Sequence, residues 1–363
     1  MQVGIIGFAG AGRSTIFTAL SGLEPSPGGA ALSHRSVATV QIPDERLLWL
    51  KDLYRPKKYT PATMEFVDFA GIPRSAEKGK AELFGKIRDS EALLLVVSAF
   101  DGAADASELP GAPEVRIRAL LDELLFADLE IVERRIERLA QNLQKGVLKT
   151  RDRDQRELEL MQRCQQALEA GESLLDIARN KDDQELLQTY RFLQEKPRIA
   201  VINASEEMGE MGEKGAKDLV ALEECSKELG LPVHALLGQV EAEIAVMPEE
   251  ERALFLAEYG LEQPARDAII QAASQATRSI PFFTVGEDEV RAWLIQEGDT
   301  ALDAAGKVHS DIARGFIRAE VNSFEELTQA GSMKEVKARN QMRLEGKDYR
   351  VKNGEIVHFR FSV

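Results

Sequence analysis

Five short apolar runs punctuate the chain: "VGII" (3–6), "MEFVDF" (64–69), "ALLLVV" (92–97), "RIAVIN" (198–203) and "VHALL" (233–237). Runs without clean alternation suit strands buried on both faces. Helical patterns lie between them, which predicts an α/β fold with a largely parallel sheet. The rhythm changes between about 114 and 195. Leu125, Leu129, Val132, Ile136, Leu139 and Leu143 recur at alternating spacings of four and three, a heptad stripe that packs one helix along another. Leu158, Met161, Cys164 and Leu168 form a second stripe, and the polar "KGVLKTRDRDQR" joins the two. This predicts a helical hairpin inserted in the α/β domain. From about 280 the runs become short, β-branched and aromatic: "FFTVG", "VRAWLI", "GFIRAEV", "DYRVKNG" and "EIVHFRF", with an Asn-Gly turn signal in "KNG". The expected boundaries are 1–113 with 196–279 for the α/β domain, 114–195 for the insertion, and 280–363 for a small β-rich domain.

Composition narrows the class. At 363 residues the chain is long enough for two or three domains, and its net charge of −15 gives no global attraction to nucleic acid. Contact with RNA would need a local basic patch. Arg134, Arg135 and Arg138 alternate with Glu133 and Glu137 and read first as a solvated, salt-bridged helix face. Cys164 and Cys225 have no metal-ligand spacing, nor do His34, His234, His309 and His358. There is no secretory leader pattern and no apolar run of membrane-spanning length, so the expected location is the cytoplasm with no membrane partner.

The chemistry sits at the front. "GFAGAGRST" (7–15) follows a predicted strand and opens a predicted helix, the order a phosphate-binding loop requires. Gly7, Gly10 and Gly12 supply the turn. Backbone N–H groups around Ala11, Arg13 and Thr15 face the phosphates, and Ser14 stands where a hydroxyl binds Mg2+. The alternative G-x-G-x-x-G fingerprint fails, because Thr15 replaces its third glycine. "DFAG" (68–71) adds a strand-end carboxylate, Asp68, as second Mg2+ partner, and Gly71 for the γ-phosphate. Asn203 and Glu206 end "RIAVINASE" as a base-recognition motif. Its Glu in place of Asp, and its missing Lys, point away from strict guanine selection.

These residues, with "TMEFVDFAG", "PDERL", "ADLEIVERRIERL", "EAEIAVMPEEER", "EVRAWLIQEGDTALDAAGKVHSDIARGFIRAEV" and "RLEGKDYRVKNGEIVHFRF", resemble the YchF proteins, P-loop NTPases related to the Obg GTPases, over almost the whole length. The resemblance implies a Ras-like P-loop domain, an inserted helical hairpin and a C-terminal TGS domain of β-grasp type. It also implies ATP or GTP as ligand with Mg2+, slow hydrolysis, and ribosome or RNA contact through the helical and TGS domains. A monomer is the expected state.

The departures from the family cluster at the nucleotide. Ala9, Gly10 and Arg13 replace its Pro, Asn and Lys. "GGAALSHRS" (28–36) lacks the switch Thr, Ile72 is apolar, and the loop 98–114 has no His. No catalytic residue is assigned. Two readings stay open: a slow ATP or GTP hydrolase acting as a ribosome-associated or stress-related switch, and a non-hydrolysing nucleotide- or ribosome-binding scaffold.

Overall fold

In the computed structural model the apolar runs become two sheets. The structure describes residues 1–24, 35–73, 79–99, 112–145, 151–204, 223–258 and 264–362. Contacts divide the chain into two units, Met1–Ala38 with Phe66–Pro264, and Thr39–Glu65 with Ala265–Val363.

The first unit is built on β1 (Gln2–Ile6), β2 (Arg35–Gln41), β4 (Thr63–Phe69), β5 (Ala92–Ser98), β6 (Arg198–Ala204) and β7 (Val233–Leu237), in the order β2-β4-β1-β5-β6-β7. β1, β5, β6 and β7 pair in parallel. All seven residues of β5 are buried, as a run without alternation predicts for a central strand. One face of this sheet carries α3 (Lys80–Ile87) and the start of α4 (Pro113–Gln144): Leu83, Phe84 and Ile87 join Ile117, Leu120 and Leu124 over Ile6, Leu93 and Leu95. α1 (Arg13–Ser21) buries Ile16, Phe17 and Leu20 and packs along a later helix, α7 (Gly238–Val246). Among the described residues, no helix is long and apolar enough to cross a membrane.

α4 continues for 32 residues and pairs with α5 (Arg151–Ala170), making the helical hairpin. Val132 and Leu139 meet Leu160, Met161, Cys164 and Leu168, with Leu125, Leu129 and Ile136 packed against them. A shorter helix, α6 (Lys181–Tyr190), adds Leu186, Leu187 and Tyr190 to the same cluster. On the exposed face of α4 Arg134 pairs with Glu130, while Arg135 turns to the buried Glu157 of α5 and links the two helices. At the base of the hairpin, fully buried Asp128 accepts the amides of Leu193 and Gln194 at 3.1 and 2.9 Å and pairs with Arg88 at 2.6 Å.

The second unit holds the other sheet: β3 (Lys58–Thr60), β8 (Ser279–Val285), β9 (Glu289–Gln296), β10 (Phe316–Asn322), β11 (Arg343–Glu345) and β12 (Ile356–Phe361), ordered β11-β10-β12-β8-β9-β3. β12 lies parallel to β8 and antiparallel to β10, while β8 and β9 form a hairpin. A helix, Ala301–Val308, buries Ala301, Ala304 and Ala305 on this sheet, the arrangement of a β-grasp.

Two expectations change here. The expected boundaries place residues 39–65 and 265–279 in the α/β domain, but contacts group them with the second unit, the division falling within β2 after Ala38 and within β4 before Phe66. Leu47 and Leu50 of α2 (Glu45–Tyr54) and Ala62 bury against Phe283, Val290 and Ile356, and β3 adds to β9 in parallel. "DYRVKNG" is a turn region rather than a strand, with a single bridge from Arg350 to Thr300. Its organiser is Glu355, 2% exposed, which accepts Tyr349 Oη at 2.6 Å, Arg343 Nη2 at 2.8 Å and the Lys352 amide at 2.9 Å.

Candidate phosphate-binding site

β1 ends at Ile6, and residues 7–12 turn into α1. Gly10 and Gly12 take positive φ, 88° and 82°. Ala11 between them is 1% exposed and donates its N–H to Phe8 O at 3.3 Å. Gly12 is the N-cap of α1 and offers no side-chain cap. The first-turn amides of Arg13, Ser14 and Thr15 have no partner inside the helix. Uncapped amides plus the helix dipole make this end a receptor for an anion.

The turn is held from two sides. From the end of β4, Ile72 N donates to Gly7 O at 2.9 Å and Phe8 bridges Ile72 in parallel. Gly71 lies so close that a Cβ there would stand 2.9 Å from Ala9 Cα. From β6, Asn203 Nδ2 donates to Ala11 O at 3.3 Å; the side chain is 5% exposed and lies between the backbones of Gly12 and Gly238. Gly238 is the first residue of α7.

Asp68 sits beneath the helix end, 2% exposed. Ser14 Oγ donates to its Oδ2 at 2.8 Å, and Arg13 Nη1 donates to its Oδ1 at 3.2 Å. The same Nη1 donates to the carbonyl of Phe69. The Arg13 stem passes under Gly7, where a Cβ would meet Arg13 Cγ and Cδ at 3.2 Å. The side chain thus folds back toward β4 and is only 11% exposed. Burial pulls the guanidinium pKa below its usual value, while the charge and hydrogen bond of Asp68 act the other way. A cation so buried is tolerable because its partner is a carboxylate. Arg13 Nε is buried without a partner.

The expected site residues Gly7, Gly10, Ala11, Gly12, Arg13, Ser14, Thr15, Asp68, Gly71 and Asn203 therefore converge on one corner of the first unit. Glu206 lies outside the described residues, as do 25–34 and 100–111, which hold most of the switch and loop segments. Sequence reasoning misses Gly238 and the Phe69 carbonyl. Gly238 is visible as a glycine directly after "VHALL", a weak signal taken alone. The Ser14–Asp68 pair expected for magnesium is formed, but it does not suit the ion. Mg2+ wants six oxygens near 2.0–2.1 Å, whereas both Asp68 oxygens are engaged and one of them faces a guanidinium. Among the described residues, no group of three or more His, Cys, Asp or Glu converges to hold a metal.

Comparison with known proteins agrees with this architecture. Residues 280–362 match the YchF-GTPase_C family, described as a protein of unknown function, and residues 2–132 match MMR_HSR1, described as a 50S ribosome-binding GTPase. The ribosome-binding ATPase YchF of Bacillus subtilis (strain 168) is 34% identical over 372 residues, covering all of both chains. Its namesake from Escherichia coli O157:H7 is 34% identical over 370 residues, covering 100% of this chain and 99% of the relative. The solved structure of the Schizosaccharomyces pombe YchF GTPase superposes with a TM-score of 0.79 at 27% identity, covering 99% of this chain and 97% of that one.

Proposed function

The chain belongs to the YchF family, and from that premise we propose that it is a ribosome-associated nucleotide-binding protein whose ligand is ATP or GTP or the corresponding diphosphate. The observation that carries this reading is the uncapped N-terminus of α1, held open by two positive-φ glycines and pinned by Asn203 and Ile72. Ribosome association comes from the names of the relatives. Calorimetric titration of ATP, GTP and ADP tests the first half of the proposal. A dissociation constant below about 1 mM, near −4 kcal/mol, is expected, and absence of heat at millimolar ligand refutes nucleotide binding. Co-sedimentation with ribosomes, with and without nucleotide, tests the second half.

One observation favours binding without appreciable turnover. Phosphoryl transfer depends on positive charge placed against the γ-phosphate. Arg13, which stands where the P-loop pattern has Lys, spends its charge on Asp68 and Phe69 O. The expected result is no phosphate release above background. Steady hydrolysis that is lost in Asp68→Ala would sink this second reading and leave nucleotide binding intact.

A further inference from the structure

Asp68 is the acidic group nearest the helix end in the site as described, and an unpaired carboxylate there would repel a polyphosphate. Phosphate-binding loops commonly meet that difficulty with a divalent cation, whose charge draws acid and phosphate together. Here the carboxylate is already compensated. Its Oδ1 takes the Arg13 guanidinium at 3.2 Å and its Oδ2 takes the Ser14 hydroxyl at 2.8 Å. A metal ion brought to this carboxylate would meet a buried guanidinium of the same sign.

We propose that Arg13 supplies the charge compensation that a divalent cation would otherwise give at this site, so that the loop binds nucleoside di- and triphosphates as metal-free anions. The proposal rests on the nucleotide reading above and adds to it how the phosphates are received.

Three features support it besides the ion pair. Arg13 is anchored twice, at Asp68 and at the Phe69 carbonyl, so its planar fork is held in place rather than swinging over the loop. The stem runs close beneath the loop: a Cβ at Gly7 would stand 3.2 Å from Arg13 Cγ and Cδ as well as 2.4 Å from Val96 O. Arg13 Nε is buried without a partner, so the side chain keeps one unused donor after satisfying Asp68.

The test is calorimetric titration of ADP and ATP into the full-length protein, once in excess Mg2+ and once in EDTA. The wild type is expected to bind within about threefold of the same affinity in both buffers. Arg13→Gln keeps a hydrogen-bond donor but removes the charge, and its affinity is expected to drop at least about tenfold in EDTA relative to Mg2+. In the double variant Arg13→Gln/Asp68→Asn the uncompensated carboxylate is gone too, and the ratio should return toward one. Circular dichroism checks that each variant is folded; the double variant, which buries no lone charge, carries the test if Arg13→Gln alone unfolds. Wild-type affinity that falls about tenfold or more in EDTA leaves nucleotide binding standing and overturns the role of Arg13. A metal-insensitive Arg13→Gln, or a metal-dependent double variant, overturns it as well. Absence of binding in both buffers overturns the nucleotide reading itself and this proposal with it.

Discussion

Gly12→Ala perturbs the site at its narrowest point. Gly12 sits at φ 82°, and a Cβ added to it would lie 2.0 Å from Asn203 Nδ2. Holding alanine in the left-handed region costs about 1–2 kcal/mol. The amide of Asn203 must also retreat by roughly 1.5 Å to reach ordinary contact distance, breaking its 3.3 Å bond to Ala11 O. Because Asn203 is 5% exposed, the freed groups stay out of water, and leaving them unsatisfied costs about 1–3 kcal/mol. The sum is roughly 2–5 kcal/mol, all of it at the junction of β6, the loop and α1. A chain of two units need not unfold in one step, so the suitable readout is local: amide hydrogen exchange of peptides spanning 2–24 and 198–204. Amides that exchange through opening of this region should speed up by roughly thirtyfold to a few thousandfold, and ADP affinity should fall in parallel. Protection within about threefold of wild type would show that Asn203 does not clamp the loop as described.

The remaining predictions address other parts of the molecule. Gly85 lies inside α3 with nothing within 4 Å of the place an alanine methyl would occupy, so Gly85→Ala should stabilise the protein by about 0.5–1 kcal/mol in urea unfolding; a loss of stability would contradict the open surroundings. Tyr190→Phe removes a 2.6 Å hydrogen bond to Glu157, which is 3% exposed and also pairs with Arg135 at 2.7 Å. Exchange in α5 should reveal a loss of about 1.5–3 kcal/mol, the range for bonds to charged groups, and no change would mean that Arg135 alone satisfies the carboxylate. Burial, helped by the nearby charges of Arg191 and Arg88, pulls Lys196 from 10.5 down to about 8. Between those values the unfolded chain holds a proton that the folded chain has released, so this group makes stability rise as pH rises through that window. Urea midpoints from about pH 7.5 to 10 should show the rise relative to Lys196→Met, and identical slopes would refute the assignment.

Much of the first unit is legible in the sequence because its strands are buried on both faces and so lack alternation: all five predicted runs lie within observed strands. β2 escapes for the complementary reason. It alternates strictly, but its inward positions are Ser36, Ala38 and Val40, while Val37 points outward at 48% exposure. Hydropathy alone therefore gives a blurred and partly inverted pattern. The second unit is legible in β8, β9, β10 and β12, but not in the short strands β3 and β11 or in its extent. Nothing in residues 39–65 announces that Leu47 and Leu50 bury beside Phe283 and Ile356, which come far later in the chain. "DYRVKNG" misleads because Glu355, a single buried carboxylate, takes the Lys352 amide and ties the Tyr349 and Arg343 side chains around it, which fixes the segment as a turn.

At the site, position is legible and direction is not. The order of strand, glycines and helix identifies the loop because each part has a backbone job, and backbone jobs leave glycine where a side chain would collide. Arg13 is different. The motif says only that another cation replaces a lysine, which suggests a weaker version of the same contact with phosphate. What decides its actual course is the competition for its charge. Asp68, 2% exposed, is an uncompensated carboxylate unless some cation reaches it. The guanidinium at the first residue of α1, with a glycine-lined path beneath the loop, reaches it at 3.2 Å. A buried charge missing its partner costs several kcal/mol, more than one solvent-facing phosphate contact returns in the absence of ligand. The substitution at position 13 therefore bears on Asp68 first and on phosphate second, and the sequence departure acquires a physical consequence: the loop keeps its shape and its donors while its carboxylate is taken out of play.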